Sequence, residues 1–238
     1  MKFKTKHLSP LALVFFLTLA PIAPLLAQAN DVTRSPSNAS ADERAERRYH
    51  DGRHALQAGE LATAAQKMRE ALSLDPTLLA ASQDYARILR SAGRPERAQA
   101  VLENALNEAP GDELTARLTA ELAEANGDTD AAITALVRAI KQSKTPDRET
   151  LVHLADLQRR HDHPADAAET YAQLIDQAPD DPRGQLGRAA ALDQASQRRA
   201  AFNAWQAVSE ADELEQSVRD YAKSRARDLR KTLIPGGG

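Results

Sequence analysis

Five alanines, Ala64, Ala98, Ala132, Ala167 and Ala201, follow one another at spacings of 34, 34, 35 and 34 residues. A constant period of this length restricts the fold more than any other feature of the chain. It means one supersecondary unit used repeatedly, because a single helical hairpin cannot bury its apolar face alone and must stack on copies of itself. The stretches GELATAAQKMREALSLDP (59–76) and GRPERAQAVLENALNEAP (93–110) display the unit. Each opens on a turn glycine, runs through closely spaced alanines and stops on proline. Only 4% of the residues are aromatic, which argues against a sandwich packed on rings. The abundance of Ala, Leu, Arg, Glu and Gln favours helices, which these residues enter at little entropic cost.

Numbering each unit so that the aligned alanine is position 20 brings the rest into register. The first unit has Gly52 at position 8, Gly59 at 15, Ala64 at 20, Ala71 at 27 and Pro76 at 32. The second has Ala86, Gly93, Ala98, Ala105 and Pro110 at the same positions. The third has Ala120, Gly127, Ala132 and Ala139, with its proline displaced to Pro146. The fourth has Ala155, Asp162, Ala167, Leu174 and Pro179, and the fifth Ala189, Ser196, Ala201 and Val208 without a closing proline. Small residues at 8 and 20 let two helices approach. Glycine at 15 supplies the positive φ that ends the first helix. Proline at 32 cannot continue the second helix. Larger apolar residues recur at helical spacing between them, as in Leu61, Met68 and Leu72, or Val101, Leu102 and Leu106.

This pattern resembles the tetratricopeptide repeat over residues 45–211. The resemblance implies an all-α, right-handed α-solenoid of five helical hairpins, at 45–78, 79–112, 113–147, 148–181 and 182–211. Two departures stand out. Gly184 and Gly187 fall inside the expected first helix of the fifth repeat, where each glycine costs up to about 1 kcal/mol. Arg48 and Asp51 occupy positions 4 and 7 of the first repeat, where the family carries large residues, so this helix is expected to be partly exposed and to act as a cap. Residues 212–232 read as a closing helix with Leu214, Val218, Tyr221 and Leu229 on one side. Its basic end (Arg225, Arg227, Arg230 and Lys231) suits a helix C-terminus, and acids interrupt the cluster as a membrane-surface patch.

The flanks read differently. Lys2, Lys4 and Lys6 precede the apolar run Leu11–Ala20, Pro21 and Pro24 follow, and Ala27–Gln28–Ala29 is a small-x-small cleavage signal. Residues 1–29 are therefore expected to be a signal peptide for export to the periplasm or beyond, cleaved after Ala29. An uncleaved anchor is the alternative, although the run is short against the roughly 20 residues of a spanning helix. Residues 30–44 read as a polar linker and 233–238 as a flexible tail. Without the three signal lysines, 28 basic residues face 34 acids, a net charge of −6. Nucleic-acid binding, which needs a basic footprint, is disfavoured. The chain has no cysteine, which excludes disulfides, thiolate metal sites, cysteine nucleophiles and an acylation site.

Signatures of catalysis are missing. His50 and His54 lack the glutamate of a zinc-protease helix. His161 and His163 flank the turn of the fourth repeat, with His153 on the helix before it, and ordinary surface histidines are the expectation over a zinc site. No phosphate-cradling loop or nucleophile elbow is present. Asp180 and Asp181 sit in a turn, where no raised pKa is expected. The chain is expected to be no enzyme and to need no metal or cofactor.

What remains is surface. In the family, positions 5, 9, 12 and 13 line a concave groove, which implies a partner-binding set of Arg53, Gln83, Arg87, Arg90, Arg117, Glu121, Glu124, Asp156 and Arg159. The early part would be basic, suiting an acidic peptide or protein segment. The alternative is a solvated set of helix faces held by local ion pairs. The resulting expectation is a non-catalytic interaction scaffold in the cell envelope, without stable membrane insertion once the signal is removed. Two alternatives stay open. One is an accessory factor of an envelope enzyme or export machine, metal-dependent through His153, His161 and His163. The other is glycan binding, with Trp205 among the few rings for a sugar to stack on.

Overall fold

The computed structural model describes residues 39–233, and the expected signal peptide, linker residues 30–38 and tail residues 234–238 lie outside them. Eleven α-helices run through the described residues, without a strand. Five hairpins pair α1 (Ala41–Gln57) with α2 (Leu61–Leu74), α3 (Leu79–Ser91) with α4 (Pro95–Glu108), α5 (Glu113–Ala125) with α6 (Thr129–Gln142), α7 (Arg148–Arg160) with α8 (Pro164–Gln177), and α9 (Pro182–Gln194) with α10 (Arg198–Glu210). A closing helix, α11 (Gln216–Leu233), packs on α10. Every helix packs on the next in sequence, and α3 also touches α5, α5 touches α7 and α7 touches α9. The first helices of successive repeats thus lie side by side and form one wall of an α-solenoid.

The aligned alanines explain the stacking. Ala64, Ala98, Ala132, Ala167 and Ala201 are all fully buried. Position 8 faces them with Gly52, Ala86, Ala120, Ala155 and Ala189, also buried. One turn after each aligned alanine a large side chain fills the space the small ones leave: Met68, Leu102, Leu136, Tyr171 and Trp205. The core is a string of local clusters, the largest joining the fourth and fifth repeats to α11. Two apolar stripes read from the sequence need correction. Leu61 is 48% exposed, since it opens α2 on the outer side, whereas Met68 is buried. On α11 the buried residues are Ala222, Ala226 and Leu229, while Tyr221 is mostly exposed and Leu214 precedes the helix.

Helix ends follow local chemistry. Ser40 accepts from the Glu43 amide while the Glu43 carboxylate accepts from the Ser40 amide, a reciprocal box that starts α1 at Ala41. Residues 41–44 therefore belong to the first helix and not to the linker. At the far end the connecting turn extends to Glu215, so α11 starts at Gln216 and includes Leu233. At every intra-repeat turn a residue with φ between 58° and 79° follows the first helix: Gly59, Gly93, Gly127, Asp162 and Ser196. In each case the next amide reaches back five residues, as Glu60 N–H does to the Ala55 carbonyl and Gln197 N–H to that of Leu192. Asp162 and Ser196 carry side chains in a left-handed conformation that glycine occupies without strain.

Gly187 has a different reason. A Cβ there would lie 2.3 Å from the ring of Tyr171, so its absence is what lets that ring lie flush on α9. The sequence-level view of Gly187 as a mere helix-weakening residue misses this close approach. At Gly93, by contrast, an added Cβ meets nothing within 4 Å. Backbone strain alone then sets the cost of Gly93→Ala, and a loss of about 1 kcal/mol is expected. Ser196→Gly is expected to be neutral or stabilising by a few tenths of a kcal/mol, because relief of strain offsets the added freedom of the unfolded chain. Urea denaturation followed by circular dichroism measures both; equal destabilisation by the two changes would contradict this account.

Candidate functional site

The wall of first helices carries the residues proposed from the sequence, and the structure shows how they are occupied. Arg53 on α1 donates to the Tyr49 hydroxyl and lies 3.8 Å from Asp84 on α3. Arg87 pairs with the same Asp84 at 3.0 Å. Arg90 on α3 reaches Glu121 on α5 at 2.8 Å. Arg117 on α5 binds Asp147 and donates to Thr150 at 2.8 Å, at the start of α7. Glu124 on α5 meets His153 Nε2 at 2.6 Å and Arg160 at 3.1 Å, both on α7. Apart from Arg53–Tyr49 and Arg87–Asp84, which stay within one helix, these contacts join residues about thirty apart and cross from one repeat to the next. The early groove is thus a ladder of compensated charges rather than an open basic strip.

Gln83 needs correction. It is buried, and its amide donates to Asp112 Oδ1 and Thr115 Oγ1, each at 3.0 Å. It fastens α3 to the start of α5 and does not face the groove. Asp181, read as a solvated turn acid, is also buried. It caps α9 by accepting from the Arg183 amide and takes that arginine's fork as well, and Arg183 continues to Glu149 on α7 at 2.9 and 3.0 Å. The Arg183 bonds hold the Asp181 carboxyl below the usual carboxylate range.

The ladder changes character at its C-terminal end. Asp156 and Arg159, both on α7, lie beside the Tyr171 phenol, which donates to Asp156. Burial, reinforced by Asp156, pushes that phenol's pKa up. Asp193 on α9 accepts from Arg225 of α11 at 2.7 Å and from the Trp205 indole at 3.2 Å. Two adjoining cavities of about 470 and 540 Å³ open here, and both are lined by Ala190, Trp205 and Tyr221. Tyr221 meets Trp205 edge-on at 5.4 Å. Inspection of the sequence did not single out Tyr171, Arg183 or Tyr221 for this site. The available signal was that Tyr171 and Trp205 stand 34 residues apart, four after an aligned alanine, where earlier repeats have Met68, Leu102 and Leu136.

The histidines do not converge. His153 is bound to Glu124, His161 lies 3.3 Å from Thr129 Oγ1, and His163 lies 3.8 Å from Asp166. Among the described residues no group of three or more His, Asp or Glu side chains could hold a metal ion.

Family profiles of the tetratricopeptide repeat match residues 55–122 and 149–181. Over these two stretches the chain carries tetratricopeptide repeats. Such repeats generally form non-catalytic scaffolds that bind peptides or proteins. No curated protein sequence matches the chain. Among solved structures it is similar to MamA, with a TM-score of 0.56 at 16% identity, covering 82% of this chain and 99% of that one. It is also similar to YrrB, described as a TPR protein with an unusual peptide-binding site, with a TM-score of 0.56 at 15% identity over 74% of this chain and 90% of that one. Pseudomonas aeruginosa pilF gives 0.53 at 19% identity over 83% and 95%. At these identities the likeness is one of fold.

The ladder has a pH consequence. Arg225, and to a lesser degree the Trp205 indole, hold Asp193 below the usual carboxylate range against its burial. For Glu124 burial acts upward, and the bonds from His153 and Arg160 outweigh it, so its pKa is also lowered. A carboxyl with a lowered folded pKa contributes stability that is complete above its unfolded value of about 4 and disappears as pH falls through the folded value. Thermal melts should therefore drop in midpoint below about pH 4. Asp193→Asn should lower the midpoint at pH 7 and shrink the acid-induced drop. A drop of unchanged size in that variant would remove Asp193 from the explanation.

Proposed function

We propose that this protein is a non-catalytic scaffold of the bacterial cell envelope that binds a peptide or protein segment along the wall of its first helices. The observation that carries this reading is the inter-repeat ladder. It fixes long, otherwise flexible side chains in place across α1, α3, α5 and α7, so a ligand meets a preorganised surface. An acidic segment suits it. Arg90 and Glu121 form an exposed ion pair, worth only about 0–1 kcal/mol, so a ligand carboxylate can exchange with Glu121 at small cost, and Arg87 exposes its guanidinium on the same helix.

Export belongs to the same reading and is supported by the positive n-region, apolar run and Ala27–Ala29 signal of the sequence. Among the described residues no helix is long and apolar enough to cross a membrane. Protein recovered from a periplasmic fraction should begin at Asn30, as read by N-terminal sequencing; an intact Met1 or Lys2 terminus in that fraction would mean a retained anchor.

The binding reading is tested by selecting from a random peptide display library on the mature chain, residues 30–238. Enriched peptides should be acidic and should lose about tenfold or more in affinity on an Arg87→Ser/Arg90→Ser variant, equivalent to about 1.4 kcal/mol. Enriched peptides with unchanged affinity for a helical variant would move the contact off this wall. Failure to enrich any peptide would count against the scaffold itself.

A further inference from the structure

The C-terminal end of the groove differs from the rest in two respects, and together they specify a ligand. The first is charge. Arg53, Arg87, Arg90 and Arg117 each face a carboxylate within ion-pair distance. Arg159 does not. It lines the hollow beside the Tyr171 phenol, and among the described residues it forms no ion pair within 4.0 Å. The guanidinium keeps donors for an anion from outside. The second is shape. Because Gly187 has no side chain, the Tyr171 ring lies down on α9 and leaves an open apolar hollow. Leu186, Gly187 and Ala190 of α9 line it together with the edge-on pair of Trp205, which is buried, and Tyr221, which is 60% exposed. A half-open space of about 470 Å³ beside this pair of rings suits one aromatic side chain, held by edge-to-face and offset contacts.

Arg159 stands on α7, and the hollow that would take the ring is lined by Leu186, Gly187 and Ala190 of α9, the first helix packed next to α7. Helices pack roughly 8–10 Å apart, so the anion and the ring are separated by about that span. One amino acid does not cover it with its own ring and its own α-carboxylate. Two adjacent residues do, at about 3.5 Å of backbone each plus their side chains.

We infer that this hollow is a specificity subsite for an acidic–aromatic pair within a bound peptide, the carboxylate on Arg159 and the ring against the edge-on pair of Trp205 and Tyr221. The inference rests on the peptide-scaffold reading and adds to it the residue types that the C-terminal repeats select. Arg183, saturated by Asp181 and Glu149, lines the hollow without being free to bind. Asp156, which accepts from the Tyr171 phenol, keeps a second oxygen for a peptide N–H.

Trp205 is the only tryptophan of the chain, so its fluorescence reports on this site alone. The mature chain is titrated with N-acetyl-Asp-Phe-amide, N-acetyl-Asn-Phe-amide, N-acetyl-Asp-Ala-amide, N-acetyl-phenylalanine and maltotriose. The Asp-Phe probe should give a saturable change in emission, with Kd on the order of 1 mM for so small a ligand. The Asn and Ala probes should bind at least fivefold more weakly. Arg159→Gln should abolish the preference for Asp over Asn while retaining the preference for Phe over Ala, and Tyr221→Ser should do the reverse. Both substituted side chains are partly or largely exposed, and circular dichroism checks that the helices persist.

Equal binding of the Asp and Asn probes, or variants that behave as the wild type, would overturn the inference. So would the absence of any response, tighter binding of N-acetyl-phenylalanine, which would indicate a chain terminus, or tighter binding of maltotriose, which would indicate a glycan. Library peptides that bind the wild type and both variants equally would sink this subsite while leaving the scaffold reading intact.

Discussion

Everything in this protein depends on how closely the two helices of each hairpin approach. The aligned alanine on each second helix is fully buried, and a glycine or alanine stands at the matching place on each first helix. Where both residues are small, backbones come close and dispersion contacts accumulate; overpacking such a site costs typically 1–3 kcal/mol. Close approach also sets the position of the next side chain along. Four residues after each alanine a large residue enters the space between hairpins, and its identity alters from Met and Leu in the first three repeats to Tyr and Trp in the last two. The same architectural slot that carries core packing at one end of the solenoid thus furnishes the walls of a hollow at the other.

Electrostatics supply the second layer. In a stack of helices with no sheet ladder, neighbouring repeats are tied by apolar contact and by side chains long enough to cross between first helices. Arg90 to Glu121, Arg117 to Asp147, Glu124 to Arg160 and Arg183 to Glu149 do this. Individually such pairs contribute little at a surface. Their regular placement matters more for geometry, since it holds arginines in fixed positions along one wall. Buried Asp181 at the α9 cap and half-buried Asp193 beneath Arg225 are both held below the usual carboxylate range by their arginines, so their ionisation is tied to the folded state.

Local backbone conformation completes the frame. The five residues in left-handed conformation stand at equivalent turns, three of them glycine and two of them Asp162 and Ser196. Nothing crowds the three glycine turns, and the return hydrogen bond to the carbonyl five residues earlier forms in every case, the Asp162 and Ser196 turns included. The proline that closes most second helices is missing from the fifth repeat, and α11 follows there instead, covering the last apolar face with Ala222, Ala226 and Leu229.

The period of the alanines, the turn glycines and the closing prolines by themselves determined the repeat, the number of hairpins and the helical class, because these depend on steric rules acting within a few residues. Which side chains would line one wall was also legible, since a period of 34 repeats the direction as well as the fold of each helix. Pairing was not. That Gln83 is consumed by Asp112 and Thr115, that Arg90 meets Glu121, and that Arg159 is left beside a phenol depend on distances between helices about thirty residues apart in the chain. The hollow beside Tyr221 was beyond the sequence for the same reason. Gly187 reads as a helix-weakening residue until a ring from α8 is placed against it, and only the packing of α8 on α9 and of α11 on α10 decides that it opens a site.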